Sequence, residues 1–538
     1  MCRCEKGQAV SQPEAEQKGQ GPEAEVASLA AAAPLRIAPL FDLKTQFDLP
    51  QKAQHGASRS RFPNTAMELE QLPDEVVMLV LGYVAVDDLF AFRLVCKRLG
   101  GLALHPGVWR HRRRATDRRT ISNDPDGPKK LCRLLRLAPR LASLYVPVES
   151  TQDHHFPLYA TTRCAVRRLN LDVSHAGSVP AALIVRNQEA LGHLTVVVLT
   201  FFSTVVDAAV LLGTLASTSV LKKLEVRHGW LVDGLSAGSL HYSVARPSLT
   251  YFKCHLTSDT QPFVDLVLAG HAATLETVDL GGPRHISHIT TSTGCLPACM
   301  PNLRDLNCSL LPGMETLAPS LTNVTLHVTP EMRLGVLGAA EMLRRASKLR
   351  YLTLKYCPAA RTSAYVGVDL VEALALSGRS AVQVLDIDND RENELADEEN
   401  DDGVEYLPQL QPLVRALPSL PALRHLMLSV YVPPDELLLA ITPQTAPALR
   451  ELMLYPMRWL PARCAHDWRH KDSVQTLLSR NPVLKFSVLT SPYCLKGQRC
   501  GACAQGCHNT LWEWDWDLEF DEHGDVNRSE FQDLIHIR

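Results

Sequence analysis

Along most of the 538-residue chain, apolar residues return in one short template, L-x-x-L-x-L, with Val, Ile, Phe or Cys standing in for Leu. It reads LASLYV from Leu141, VRRLNL from Val166, LGHLTV from Leu191, LKKLEV from Leu221, LTYFKC from Leu249, LETVDL from Leu275 and LRDLNC from Leu303. It continues as LTNVTL from Leu321, LRYLTL from Leu349, VQVLDI from Val382, LRHLML from Leu423, LRELML from Leu449 and a weaker LKFSVL from Leu484. The period-two ending predicts a short strand, and the Ala/Leu-rich stretch before it, such as AALIVRNQEALG or GVLGAAEMLRRASK, predicts a helix. About thirteen units at a mean spacing of roughly 27 residues suit a stacked repeat, and intervals from about 18 to about 41 mark degenerate units or loops. One unit cannot bury its own leucine face, so the strands are expected to stack in parallel with helices outside. A doubly wound enzyme would not reuse one strand template so often, and no glycine fingerprint follows any strand.

Ahead of the array, Leu69–Arg114 has helical periodicity instead. Pro73 suits a first helical position, and Asp74 and Glu75 complement the positive end of the helix that follows. Val76, Val80, Tyr83 and Val84 form an apolar stripe that Val77 and Leu81 widen, so this helix is expected to bury most of its girth. Asp87 or Asp88 is placed to cap a second helix, whose Leu89, Phe92, Val95, Cys96 and Leu99 repeat the spacing. Gly100 and Gly101 fall where a third helix should run, at a cost of roughly 1 kcal/mol each relative to Ala. Roughly 40 residues make too small a core to stand alone, and a partner surface is expected.

The order L-P-x-E-V, D-L, V-C-K-R and P-x-x-W-R, at this spacing, resembles the F-box family, and the template downstream resembles leucine-rich repeats. The resemblance implies an α/β chain with N-terminal F-box helices, a leucine-rich-repeat solenoid (horseshoe) and a small Cys/Trp-rich C-terminal cap. It also implies a substrate-recognition adaptor of a Skp–cullin–F-box E3 ubiquitin ligase, non-catalytic itself, whose partners are the Skp-type linker, the cullin-RING core and a protein target. Leu72, Pro73, Glu75, Val77, Leu81, Leu89, Val95, Cys96 and Trp109 are then at or supporting the linker contact. The alternative is a repeat scaffold with no connection to ubiquitin. The concave strand face is the expected target site, because residues between the buried leucines point outward in register. The candidates there are Arg168, Asn170, Lys223, Glu225, Tyr251, Lys253, Asp305, Tyr351, His425 and Glu451, and their mixed sign favours a protein over nucleic acid.

Composition narrows the class. The chain is 46% hydrophobic and 21% charged, and no apolar run is long enough to cross a membrane. The start lacks a secretory signal core, so the 15 cysteines are expected to be thiols in a reducing cytoplasmic or nuclear compartment. A formal charge of −3 gives no general attraction to nucleic acid. The basic run Arg110 to Arg119 reads as a solvated helix end or linker ahead of a nuclear import signal. The domain plan has a disordered tail over 1–65, the F-box over 66–114, and a basic linker with the first array helix over 115–140. Repeats follow over 141–490 with an acidic loop at 388–405, then a Cys-rich segment and terminal hairpin over 491–538.

In that last segment Cys494, Cys500, Cys503, Cys507 and His508 offer a ligand set for a structural zinc, Cys500-x-x-Cys503 being the tight turn such a site uses. Free loop thiols are the other reading, and no cofactor is otherwise required. Trp512, Trp514 and Trp516 alternate with acids as a strand does, which speaks against an EF-hand in the residues that follow. No Gly-x-Ser-x-Gly elbow, His-Glu-x-x-His helix or phosphate loop occurs, so no catalytic residue is assigned.

Overall fold

The computed structural model describes residues 71–114, 127–148, 156–201, 208–228, 246–282, 299–317, 320–328, 333–356, 367, 369–378, 380–389, 410–430, 434–456, 465–490 and 533–537. Four short helices come first: α1 (Asp74–Tyr83), α2 (Val86–Phe92), α3 (Lys97–Ala103) and α4 (Pro106–Trp109). Pro73 sits just ahead of α1, with Asp74 and Glu75 in the first turn. Neither Asp87 nor Asp88 caps α2; Ala85 holds the cap position without a side-chain bond, and both acids lie in the first turn, where they act on the helix dipole. The second apolar run is not one helix either. It breaks at Arg93–Val95, and the Cys96 sulfur accepts the Leu99 N–H at 3.4 Å to begin α3.

The third helix forms through both glycines. A Cβ on Gly100 would lie 2.9 Å from the Arg93 carbonyl oxygen, so the missing side chain is what lets α3 approach the end of α2. Val77, Leu81, Leu89, Phe90, Leu99, Leu102, Val108 and Trp109 make the core of the four helices. The Phe90 and Trp109 rings pack 5.8 Å apart, and the Trp109 indole donates to the Ala103 carbonyl at 2.7 Å.

Among the described residues the sheet has fifteen strands in chain order, a sequence of neighbours consistent with a repeat solenoid. It starts inside the helical segment, with β1 (Arg113–Arg114), and runs through β2 (Arg140–Val148), β3 (Ala165–Val173), β4 (Val196–Phe201), β5 (Lys223–His228), β6 (Tyr251–Cys254) and β7 (Thr277–Asp279). Next come β8 (Asp305–Ser309), β9 (Asn323–Val328), β10 (Tyr351–Tyr356), β11 (Val384–Asn389), β12 (His425–Val430), β13 (Glu451–Pro456) and β14 (Lys485–Thr490). All of these pair in parallel; β15 (Asp533–Ile537) closes the last edge antiparallel to β14. The pleat puts Leu144, Leu169, Val197, Leu224, Phe252, Val278, Leu306, Val324, Leu352, Leu385, Leu426, Leu452 and Phe486 in one buried row. Each such side chain is worth roughly 1.5–3 kcal/mol of burial. Helices between the strands, among them Ser178–Ala190, Gln261–His271 and Arg333–Arg345, supply the other side of that core.

A second regularity lies at the strand entries. From β4 to β12 the carbonyl just before each strand accepts the first two N–H groups of the next unit, as Lys222 does from Thr250 and Tyr251 and Arg424 from Arg450 and Glu451, at 2.8–3.1 Å. This stacking corrects two units. Register puts Leu194, Val197 and Leu199 inward in β4, so that template begins at Leu194 and the half-buried Leu191 ends the preceding helix. In β14 Phe486 and Val488 face the core, which makes Val483 the first position even though it is exposed. β11 reaches Asn389, so Asp388 belongs to the sheet rather than to a loop.

The Cys/His cluster from Cys494 to His508, the Trp512–Trp516 run, the tail over 1–65 and residues 390–405 lie outside the described residues. Among the described residues no helix is long and apolar enough to cross a membrane.

Candidate functional site

Two surfaces stand out, one on the helices and one on the sheet. On α1 the residues Val76, Leu79, Val80 and Tyr83 recur at helical spacing and all face solvent, Tyr83 being 87% exposed and Leu79 65%. The helix therefore buries only its Val77/Leu81 side. Ten residues carry two apolar stripes, and a helix at the edge of a small core can turn only one of them inward. At the turn between α2 and α3, Leu94 and Val95 are also exposed, at 77% and 67%. Apolar exposure this dense on so few residues marks a docking surface.

The nine sequence candidates on the helices divide by burial. Pro73, Glu75, Val95 and Cys96 are exposed and Leu72 is half-buried, whereas Val77, Leu81, Leu89 and Trp109 are interior and act by holding the helices together. Sequence reading had no place for Leu79 or Leu94. The signal for Leu79 was its position three residues after Val76 and four before Tyr83.

The helices are fastened to the sheet by Arg112. Its Nη2 donates to the Leu81 carbonyl at 2.8 Å and the Val84 carbonyl at 2.6 Å, and its Nε to Val108 at 3.2 Å. Its guanidinium stacks 5.4 Å from the Trp109 ring centre, and its own carbonyl accepts the Ala142 N–H at 2.8 Å where β1 meets β2. Burial lowers the Arg112 pKa from its ordinary value. From the far side, the Arg133 guanidinium lies 4.6 Å over Phe90.

On the sheet, register brings the sequence candidates to one open face. Arg168, Lys223, Tyr251, Asp305, Tyr351, His425 and Glu451 share one row; Asn170, Glu225 and Lys253 share the row two residues on. Many of them are held by their own neighbours. Glu225 is buried, with Arg227 at 2.7 Å and Lys223 at 3.8 Å, and the Lys223 ammonium sits 3.8 Å over the Tyr251 ring. Burial would lower Lys253, but its hydrogen bond to Asp279 at 2.7 Å and that carboxylate's charge raise it above the ordinary lysine value. Asn307 Nδ2 donates to Asp279 at 2.8 Å, which leaves its Oδ1 to accept from His327 Nε2 at 2.9 Å. Glu451 is pulled below the usual carboxylate range by Lys485 at 3.0 Å, with burial opposing and His425 at 3.1 Å adding to the pull.

Further along the second row lie Asp386, Met427 and Met453, and on a third row, two residues on, Asp388, Ser429 and Tyr455; none of these six was a sequence candidate. The thiols of Cys164 and Cys308 are buried under the sheet and pushed up to about 12 by burial, which keeps them protonated. Among the described residues no group of three His, Cys, Asp or Glu is placed to hold a metal.

A protein-family model described as F-box-like matches residues 69–115. No curated protein matches the chain. Among solved structures the chain is similar to the crystal structure of the Rad7 and Elc1 complex in yeast, at 15% identity over 71% of this chain and 88% of that one, with a TM-score of 0.36. It is also similar to the TLR13–ssRNA13 complex, at 13% identity over 66% of this chain and 48% of that one, with a TM-score of 0.34. The chain thus carries an F-box-like domain at residues 69–115, joined through β1 to a parallel-strand sheet.

Proposed function

We propose that the chain is a substrate-recognition adaptor of a Skp–cullin–F-box ubiquitin ligase. Its F-box-like helices bind the Skp-type linker, and the open strand face binds a protein target. The chain performs no bond chemistry; it raises the effective concentration of the target near a charged conjugating enzyme. The observation that carries this reading is the uncovered stripe Val76, Leu79, Val80 and Tyr83 on the segment that matches the F-box-like family. The Arg112 clamp supports it, because a target is positioned only if the two surfaces move as one body.

Co-purification of the full chain with a Skp-type linker and cullin, beside Val80→Asp and Tyr83→Asp, tests the reading. Both positions are solvent-exposed, so the variants are expected to fold and to lose the linker. Retention of the linker by folded variants places the contact elsewhere; failure of the native chain to bind leaves a repeat scaffold unconnected to ubiquitin as the better account.

A further inference from the structure

We propose that the open face over β11–β13 receives an arginine-bearing extended segment of a protein partner. The proposal rests on the reading of that face as the target surface and names the chemistry of what it takes. Asp386 and Asp388 alternate on β11 and so point to the same side of the sheet. Register lays Met427 and then Met453 beside Asp386, and a side-chain hydrogen bond places Ser429 beside Asp388, with Tyr455 next to Ser429 in register. With strands roughly 4.8 Å apart and alternate residues roughly 6.6 Å apart, these six residues tile a platform of about 10 by 7 Å.

The charge on this platform is unbalanced. Lys355 lies 3.6 Å from Asp388, and the Ser429 hydroxyl donates to Asp388 at 2.7 Å. Asp386 faces Thr353 on one side and Met427 on the other, neither of which supplies a cation. Among the described residues two carboxylates therefore share one ammonium. Burial, then the Asp388 charge, raises Asp386 to about 6 against the pull of Lys355. Elsewhere on the face Glu225 is matched by Lys223 and Arg227, Asp279 by Lys253 and Glu451 by Lys485, while Asp305 is held by the neutral Thr277 and Asn323 side chains and Asp172 by Tyr145.

The neighbours decide which cation fits. Met427, Met453 and Tyr455 are each half-buried, and the Tyr455 hydroxyl rests 4.0 Å from the Met453 sulfur. Polarizable thioethers and an aromatic ring suit a flat, weakly hydrated guanidinium and its aliphatic stem better than a strongly hydrated ammonium. Carboxylates spaced two residues apart on a strand match side chains spaced two apart on an extended partner. Residues 390–405, which follow β11 in the sequence, hold nine acids and one arginine.

The test uses the full chain and a fluorescein-labelled peptide, Gly-Ser-Ala-Arg-Ala-Arg-Ala-Ser-Gly, with Glu and Lys counterparts, read by fluorescence anisotropy. The native chain is expected to bind the Arg peptide, to bind the Lys peptide several-fold more weakly, and not to bind the Glu peptide. Asp386→Asn, which keeps shape and leaves the acidic stretch intact, and Met453→Lys, at a half-exposed position, are each expected to weaken binding about tenfold. Circular dichroism and retention of the linker show that both variants are folded. Equal affinity of the native chain and both folded variants means general attraction to the acidic stretch and overturns the proposal, as does no binding by the native chain. Equal affinity for the Lys peptide overturns the assignment of arginine. Linker retention by the native chain is scored separately, so a failed adaptor reading is distinguishable from a failed peptide site.

Discussion

Replacing Arg112 by Met, which keeps the aliphatic stem and removes the guanidinium, should release the four helices from the sheet without unfolding it. The guanidinium makes two short bonds, at 2.6 and 2.8 Å, to carbonyls at the C-terminal end of α1. Charged bonds of this kind are worth about 1.5 kcal/mol each at the low end of their range, and water can reach a half-buried site, so the loss is about 2–3 kcal/mol. At 1.4 kcal/mol per decade, the equilibrium for local opening of α1–α4 rises roughly 30- to 100-fold. Hydrogen–deuterium exchange read by peptide mass spectrometry measures this directly. Peptides covering residues 74–109 should lose protection by one and a half to two decades, while those covering β5–β13 should not change. Uniform loss across the sheet would show that Arg112 supports the whole fold, and no change would show that the backbone pairing of β1 with β2 holds the helices unaided. Either result refutes the clamp.

Two adjacent glycines should respond with opposite signs. Gly100→Ala drives a Cβ toward the Arg93 carbonyl at 2.9 Å and is expected to lower the melting temperature, whereas Gly101→Ala meets nothing within 4 Å and should add about 0.5–1 kcal/mol through helix propensity. Thermal unfolding of the two variants checks this, and a gain from both would remove the close approach as the reason for Gly100. His271 is buried, and its Nδ1 accepts the N–H groups of Ser248 at 3.0 Å and Leu249 at 3.3 Å, with burial holding its pKa at about 4. A folded value below the unfolded one, about 6.5, means stability is fully present above that pH and falls as pH drops toward 4. Urea unfolding at pH 7 and pH 5 should show this loss in the native chain and a smaller one in His271→Asn; equal slopes would contradict it.

Much of the sheet was legible because its signal is local and repeated. A template with inward positions one, four and six specifies a strand in most of its occurrences, and Leu221, Leu224 and Val226, Leu349, Leu352 and Leu354, and Leu449, Leu452 and Leu454 are buried as the spacing requires. Where it failed, a neighbour decided: Leu191 reads as well as Leu194 until β3 and β5 fix which of them lies in the row. A three-residue slip of that kind costs nothing in the sequence and everything in the stack.

The helical segment shows the complementary limit. The order and chemistry of residues 69–115 specified short helices and a small core, since Leu-Pro-x-Glu and Pro-x-x-Trp-Arg act through nearest neighbours. Which of the two stripes of α1 turned inward was undetermined, because Val76–Tyr83 and Val77–Leu81 are equally apolar; packing against Leu99, Leu102 and Trp109 chose the second and left the first exposed. Likewise the chain alone supplied acids and methionines at open positions of β11–β13, but only register across strands put Asp386 beside Met427 and Met453 and left it to share the Lys355 ammonium with Asp388. Periodicity sets what each segment becomes, since side-chain direction follows backbone geometry. Juxtaposition across segments distant in sequence sets what the surface can bind, and that depends on the stacking of every unit between them.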